Sequence, residues 1–394
     1  MVNCGPDEST QQGSLLTGET QDVVSSIEDV DKDQTTHSRE PTVIDYLNTL
    51  RTGNNLPEIL QDPLLTLAAQ NHADYLFAHP EGLKPGQDPH LEDPEEALFT
   101  GIKVQQRVEY VGYEGKSLGE NIALRPTAEA ALQSWLETLY SRLPLMDLAL
   151  EEIGLGQAGP LHERVFVLVA GTQSEPLTND TSMRVYPAAG SQNITTNWSG
   201  NELPQPTPPP AGYPSGPVIS LHTAGTPFDG VAGVLRSPEG QKVPCSGFTI
   251  ETDPNLPQGV AAIIPHEPLE ADSLYSVTWK GSISGTAFSK EHAFETGGNN
   301  CEPVSQDCGH GRACYIQQGK DICLWVGPLE EGEECLYIND CSRGFGCYGL
   351  GNSQLCRRYC ALNGPINCQE VCSGQYSVLD DEANTGFCWN VTKD

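Results

Sequence analysis

The rhythm of hydrophobic and polar positions changes three times along these 394 residues. Residues 1–40 have no apolar period. The stretch CGPDESTQQGSLLTGETQDVVSSIEDVDKDQTTHSRE is polar, acidic and almost without aromatics, so a disordered acidic tail is expected that cannot offset its own ordering entropy. Val43, Leu47 and Leu50 then fall at i, i+4 and i+7, and Gly53 supplies a stop. Asp62-Pro63 reads as an N-cap followed by proline at the first helical position, opening a second helix through LLTLAAQNHADYLFAH. A third helix starts near Thr127 and sets Leu132, Trp135, Leu136 and Leu139 on one face. EEIGLGQAGPLHERVFVLVAGT reads as two strands joined by a Gly/Pro-rich turn. Residues 41–173 are therefore an α+β unit.

Between 174 and 298 the period shortens to two. PVISLHTAG, GVAGVLRSPEG, GVAAIIP, SLYSVTWKGSISG and HAFETG are short strand-like runs with turns between them. Tyr275, Val277 and Trp279 alternate as one face of a strand does. ELPQPTPPPAGYPSGP reads as a stiff, extended proline-rich connector. The spacing predicts an all-β sandwich of immunoglobulin-like type.

In residues 299–394 cysteine replaces aliphatic periodicity. Of 14 cysteines, 12 lie here: Cys301, Cys308, Cys314, Cys323, Cys335, Cys341, Cys347, Cys356, Cys360, Cys368, Cys372 and Cys388. CGHGRACYIQQGKDIC and CSRGFGCYGLGNSQLC share the spacing C-x5-C-x8-C with Cys-Tyr at the same offset, an internal repeat. The wide spacings and the lack of a CxxC pair favour disulfides over a zinc–thiolate cluster. Disulfides at this density imply an oxidising compartment, hence a secreted or cell-envelope protein with a small disulfide-rich domain at residues 299–394.

Charge narrows the partners. With 53 acidic and 21 basic residues the formal charge is −32, which disfavours nucleic acid and anionic membrane surfaces. No apolar run approaches the ~20 residues of a transmembrane helix. Met1 reads as a late start with an export signal lost upstream. Cys4 leads a polar tether, as lipidated cysteines of bacterial lipoproteins do, although Asn3 departs from the small residue usual before them; the alternative is a stray or pairing thiol. Cys245 has no obvious mate and reads as a buried thiol. Asn179, Asn193, Asn197 and Asn390 fit the glycosylation triplet, which a bacterial-type chain seldom uses. There is no nucleophile elbow, HExxH or phosphate loop.

Residues 41–173 resemble the CAP superfamily (the SCP-like, cysteine-rich-secretory group) in its bacterial form. NHADYL is similar to the family's His-Ala helix; PHLED with LFTG to its His-x-Glu loop and aromatic-Thr-Gly turn; VGY…LGENIA to its Gly-Glu-Asn-Ile signature; and SWLETLYSRLPLM…EIGLG to its Trp helix, Arg-x-Pro-Leu turn and Ile-Gly-x-Gly strand. The resemblance implies an α-β-α sandwich with a cleft of two His and two acids that sometimes holds a divalent metal such as zinc. Carried over, the cleft candidates are His72, His90, Glu92, Glu120 and Ser141, with His72 and His90 as metal ligands. Ser141 stands where bacterial relatives commonly carry His, and a hydroxyl replaces an imidazole poorly. The bland readings are a core histidine for His72, a solvated loop residue for His90, a helix-terminal charge partner for His79 and a loop anchor for Glu120. Three functions follow. One is a non-enzymatic module binding a lipid, envelope component or protein partner. Another is a metal-dependent hydrolase with Glu120 as base. The last is a structural or adhesive surface protein using its Cys-rich repeat.

Overall fold

Thr42 and Asp45 close a reciprocal capping box at the start of α1 (Val43–Gly53), and after the short β1 (Leu60–Gln61) Asp62 caps α2 (Pro63–Ala78). Asp62 Oδ1 accepts the main-chain N–H groups of Leu64 and Leu65, both at 2.8 Å, satisfying donors that a helix start leaves unpaired. Then come α3 (Val104–Tyr110), β2 (Lys116–Leu124), α4 (Ala128–Glu137, capped by Thr127), α5 (Arg142–Leu145), β3 (Glu152–Ala158) and β4 (Val165–Thr172). The three helices and two strands expected here are present; β1, α3, β2 and α5 were not anticipated. The computed structural model describes residues 42–84, 86–174, 181–298, 301–317, 320–350, 353–363, 366–372, 376–380 and 385–388, so the acidic tail, Cys4, Asn179 and Asn390 lie outside the described residues.

The strands form one sheet in the order β1-β3-β4-β2, with β1 parallel to β3 and the other pairs antiparallel. All of β4 is buried, and its alternate residues serve two cores. Phe166, Leu168 and Ala170 pack with Leu47, Leu132 and Trp135, while Val165, Val167 and Val169 pack with Leu65, Ala68 and Val108. This is a three-layer α-β-α arrangement. Gly154 and Gly156 let α2 lie directly on β3, because a Cβ at either would meet the backbone of residues 65–66 or 69–70. Among the described residues no helix is long and apolar enough to cross a membrane.

The middle segment is sheet-rich. β5 (Arg184–Tyr186), β6 (Ile219–His222), β8 (Cys245–Thr249) and β9 (Val260–Pro265) form one sheet; β7 (Phe228–Arg236), β10 (Leu274–Ile283) and β11 (Thr286–Glu295) form a second. Ile219, Leu221 and Ile263 of one meet Tyr275, Val277, Trp279 and Phe294 of the other in a shared core. The proline-rich run does not stand as an extended connector ahead of the strands. It lies between β5 and β6 and folds back: Trp198 and Ser215 exchange main-chain hydrogen bonds at 2.9 Å, and the Trp198 and Tyr213 rings meet edge-on at 5.4 Å. Cys245 is unpaired and partly buried, and burial pushes its thiol up to about 12, which disfavours the reactive thiolate.

The C-terminal segment is stapled by six disulfides. Cys301–Cys314 and Cys308–Cys323 are interlaced around the hairpin of β12 (Arg312–Gln317) and β13 (Lys320–Trp325). Cys335–Cys347 and Cys341–Cys356 repeat that linkage around β14 (Phe345–Leu350) and β15 (Ser353–Ala361). The repeat unit thus has four cysteines, joined first to third and second to fourth, and not the three that the matching spacing displays. Cys314 faces Cys323, and Cys347 faces Cys356, across the hairpins without bonding to each other. Cys360–Cys368 and Cys372–Cys388 tie α6 (Cys368–Val371), β16 (Tyr376–Asp380) and β17 (Thr385–Cys388) to β15. Loops of this size contribute ~3 kcal/mol each by restricting the unfolded chain.

Side chains join the three segments. Buried Arg142 donates to Leu136 O (2.6 Å), Ser220 Oγ (2.8 Å) and Val218 O (3.1 Å), and stacks 3.9 Å from the Tyr186 ring centroid. Glu202, from the proline-rich run, accepts the N–H groups of Leu139, Tyr140 and Ser141 at 2.6–2.8 Å. His310 stacks on Tyr46 at 3.4 Å, and Arg312 pairs with Glu137 at 2.8 Å.

Three histidines make the fold acid-sensitive. Burial, then Arg142 and Arg184, pushes His222 down to about 3; burial and Lys290 push His292 to about 4; burial and Arg343 push His310 to about 4. Each titrates near 6.5 when unfolded, so the unfolded chain takes up protons that the folded chain refuses, and stability falls as pH drops below 6.5. Glu202, raised by burial, opposes this as one group against three. At about 1.4 kcal/mol per unit, each histidine contributes a loss of roughly 3 kcal/mol between pH 6.5 and 4. The melting temperature should fall steeply over that window; a flat profile would show these imidazoles to be solvated.

Candidate functional site

α2, the loop following it, α3 and β2 converge on one ionic cluster. α2 lays Leu65, Ala68, Ala69 and Leu76 on the sheet and holds His72 fully buried beside them. His72 Nδ1 lies 2.8 Å from Glu92 Oε1, and Nε2 lies 3.0 Å from the Pro89 carbonyl. Glu92 is buried as well: its Oε2 accepts the N–H groups of Thr100 (2.7 Å) and Gly101 (3.2 Å). The pair His72–Glu92 therefore pins the loop between α2 and α3 from both ends. His79 caps the end of α2, with Nε2 2.9 Å from Ala97 O and Nδ1 3.6 Å from Glu96.

Glu120, on β2, is the hub. Its side chain is 1% exposed, and it meets His90 Nδ1 at 3.0 Å and His72 Nε2 at 3.6 Å. Arg107 Nη2 lies 2.7 Å from both carboxylate oxygens, while Nη1 donates to His90 O and Gly101 O, each at 3.2 Å. Burial by itself would raise the Glu120 carboxyl. The hydrogen bond from His90 and the charges of His72, Arg107 and His90 outweigh it and hold the carboxyl below the usual carboxylate range. Only His90, with a side chain 44% exposed, reaches solvent from this cluster.

His72, His90, Glu92 and Glu120 are thus brought together, and Ser141 is not. Glu120 pairs with Val169 and Asn121 with Leu168, so these neighbours point to opposite faces of the sheet. Asn121 Nδ2 donates to Ser141 O at 2.8 Å, placing Ser141 on the α4 side, where its N–H is taken by Glu202. Arg107 is the participant that sequence reasoning missed. Its signal was its position: Val104, Arg107, Val108 and Val111 follow helical apolar spacing, so an arginine sits on a buried stripe and requires a buried acid.

The donor set suits a divalent ion poorly. Both His72 nitrogens already face oxygen acceptors, Glu92 Oε1 and the Pro89 carbonyl, so neither is directed at an open position for a metal. Glu120 is neutralised by a guanidinium that would repel a cation, and Ser141 faces the other layer. Chemically the arrangement is a closed charge network around loop 88–101 with one imidazole at its surface.

Residues 44–169 match the family model of CAP, the cysteine-rich secretory protein family. Among solved structures, an outer surface protein from Borrelia burgdorferi is 17% identical, with 33% of this chain and 90% of that chain aligned at a TM-score of 0.28. No curated protein matches the chain.

Proposed function

We propose that this protein is an exported, non-enzymatic binding protein of the cell exterior or envelope. Its CAP segment presents a rigid surface to a lipid, envelope component or protein partner, and its immunoglobulin-like and Cys-rich segments supply reach and protease resistance. The observation carrying the reading is Arg107 Nη2 at 2.7 Å from both oxygens of Glu120. A hydrolase using this cleft would need that carboxylate as base. Here it is 1% exposed, with its charge already matched inside the protein. Six disulfides support an oxidising location. A lipid on Cys4 would make the protein surface-anchored; otherwise it is secreted.

The test compares the purified full chain with Glu120→Gln and His90→Ala against peptide and envelope-polymer substrates, with and without zinc. No turnover above blank is expected from any of the three. His90→Ala should weaken retention on an envelope fraction and also lower the melting temperature by a few degrees, because it removes a hydrogen bond at 3.0 Å from the buried Glu120 carboxylate. Turnover by the parent chain that disappears in Glu120→Gln would sink the proposal.

A further inference from the structure

A cavity of about 600 Å³ opens where the three segments meet, with walls from α4, from residues 193–201 and from the β12–β13 hairpin. That volume is in the range of small-molecule sites, ~300–1,000 Å³. It is separate from the His72–Glu120 cluster, none of whose residues lines it.

One wall has a regular chemistry. Along NITTNWSGN the residues at odd positions, Asn193, Thr195, Asn197, Ser199 and Asn201, all carry an amide or a hydroxyl, and all five line the cavity. All of these but Thr195, which is half-buried, are exposed, whereas Trp198 and Gly200 between them are buried. The main chain at the even positions is fastened to the sheet region: Ile194 N–H donates to Glu295 O at 3.1 Å and Trp198 N–H to Ser215 O at 2.9 Å. Ile194 and Trp198 themselves pack into two apolar cores. The chain is therefore held along the cavity with Ile194, Thr196 and Trp198 lining it beside these residues, and its amides and hydroxyls supply neutral donors and acceptors there.

The facing wall is rigid. The Trp325 ring has the Arg312 guanidinium at 4.2 Å and that of Arg125 at 5.1 Å from its centroid, and Glu137 fixes Arg312 at 2.8 Å. Arg125 and Arg312 are nearly balanced by Glu137, Asp272 and Asp307, all lining the same space. The cavity therefore offers no net attraction for an anion, and a chain of charge −32 repels polyanions. Amides and hydroxyls, an indole and arginine fork donors are the groups that recognise a ligand with many hydroxyls and no charge.

We propose that this cavity is a binding site for a neutral, hydroxyl-rich ligand, a short stretch of uncharged polysaccharide. It is independent of the CAP-cleft reading. The test is calorimetric titration of the full, disulfide-bonded chain with neutral tetrasaccharides of glucose, mannose, galactose and N-acetylglucosamine, together with pull-down on the corresponding insoluble polymers. Saturable binding to at least one tetrasaccharide or polymer is expected; retention by polymer alone would assign the ligand to the polysaccharide and not to a free oligosaccharide. Asn197→Ala and Asn201→Ala, both exposed, should each lower affinity roughly tenfold with unchanged melting, the size of one lost hydrogen bond. His90→Ala should leave sugar binding intact, so failure here and failure of the cleft reading are told apart. No binding across the panel, or an affinity unchanged from the parent chain in both asparagine variants, would overturn the proposal.

Discussion

Replacing Arg107 with alanine is expected to destabilise the protein by about 3–5 kcal/mol, the usual consequence of stranding a buried charge. Arg107 is 1% exposed and supplies two contacts to Glu120 at 2.7 Å, and its removal also orphans the carbonyls of His90 and Gly101. Glu120 would be left with His72 at 3.6 Å and the half-exposed His90 at 3.0 Å. Lysine should recover only part of the loss, because one ammonium cannot reproduce a fork that reaches a carboxylate and two carbonyls together. Arg107→Met combined with Glu120→Gln should be milder than Arg107→Ala alone, since both charges leave together. Urea unfolding of the three variants checks this, and a cost below about 1 kcal/mol for Arg107→Ala would show that the pair is solvated.

Arg142→Ala should have a comparable effect by a different route. Its guanidinium satisfies acceptors on Leu136, Val218 and Ser220 and covers Tyr186, so a single side chain closes the joint between α4–α5 and the sheet-rich segment. Three buried acceptors lose their donor, and a cavity replaces a large buried side chain, for a loss of about 3–5 kcal/mol. Burial lowers Arg142 to about 10, yet it stays charged at neutral pH. Calorimetry is the informative readout: the parent chain should unfold in one main transition, and Arg142→Ala should split it as the two segments uncouple. A single unsplit transition with little shift would place the joint elsewhere.

Local signals made the helices legible. Asp62-Pro63 and Thr127 are caps whose side chains act within three residues, so the chain alone displays them. The two strands of EEIGLGQAGPLHERVFVLVAGT were marked by the turn between them. β2 was not read, because GENIA was recognised as a motif without being read as a strand. That omission also hid the alternation that separates Glu120 from Ser141. In the site, membership was readable for His72, His90, Glu92 and Glu120, but their pairing was not. His72 meets Glu92 across 20 residues and His90 meets Glu120 across 30, distances over which no local pattern operates. Glu202, 61 residues from Ser141, illustrates the same limit: in sequence it is one more acid at the edge of a proline-rich run, and only the fold makes it the acceptor for three main-chain N–H groups. The cysteine repeat was visible, whereas its linkage was not, since spacing does not say which of two facing cysteines turns away.

Arg107 holds beside Glu120 the positive charge that a divalent cation would otherwise supply there. The most direct measurement is native mass spectrometry of the full, oxidised chain after equilibration with zinc and removal of the excess, alongside Glu120→Gln. Neither protein is expected to retain zinc in the cleft, so that the two spectra differ only by the substitution. One zinc retained per parent chain and lost in Glu120→Gln would contradict it.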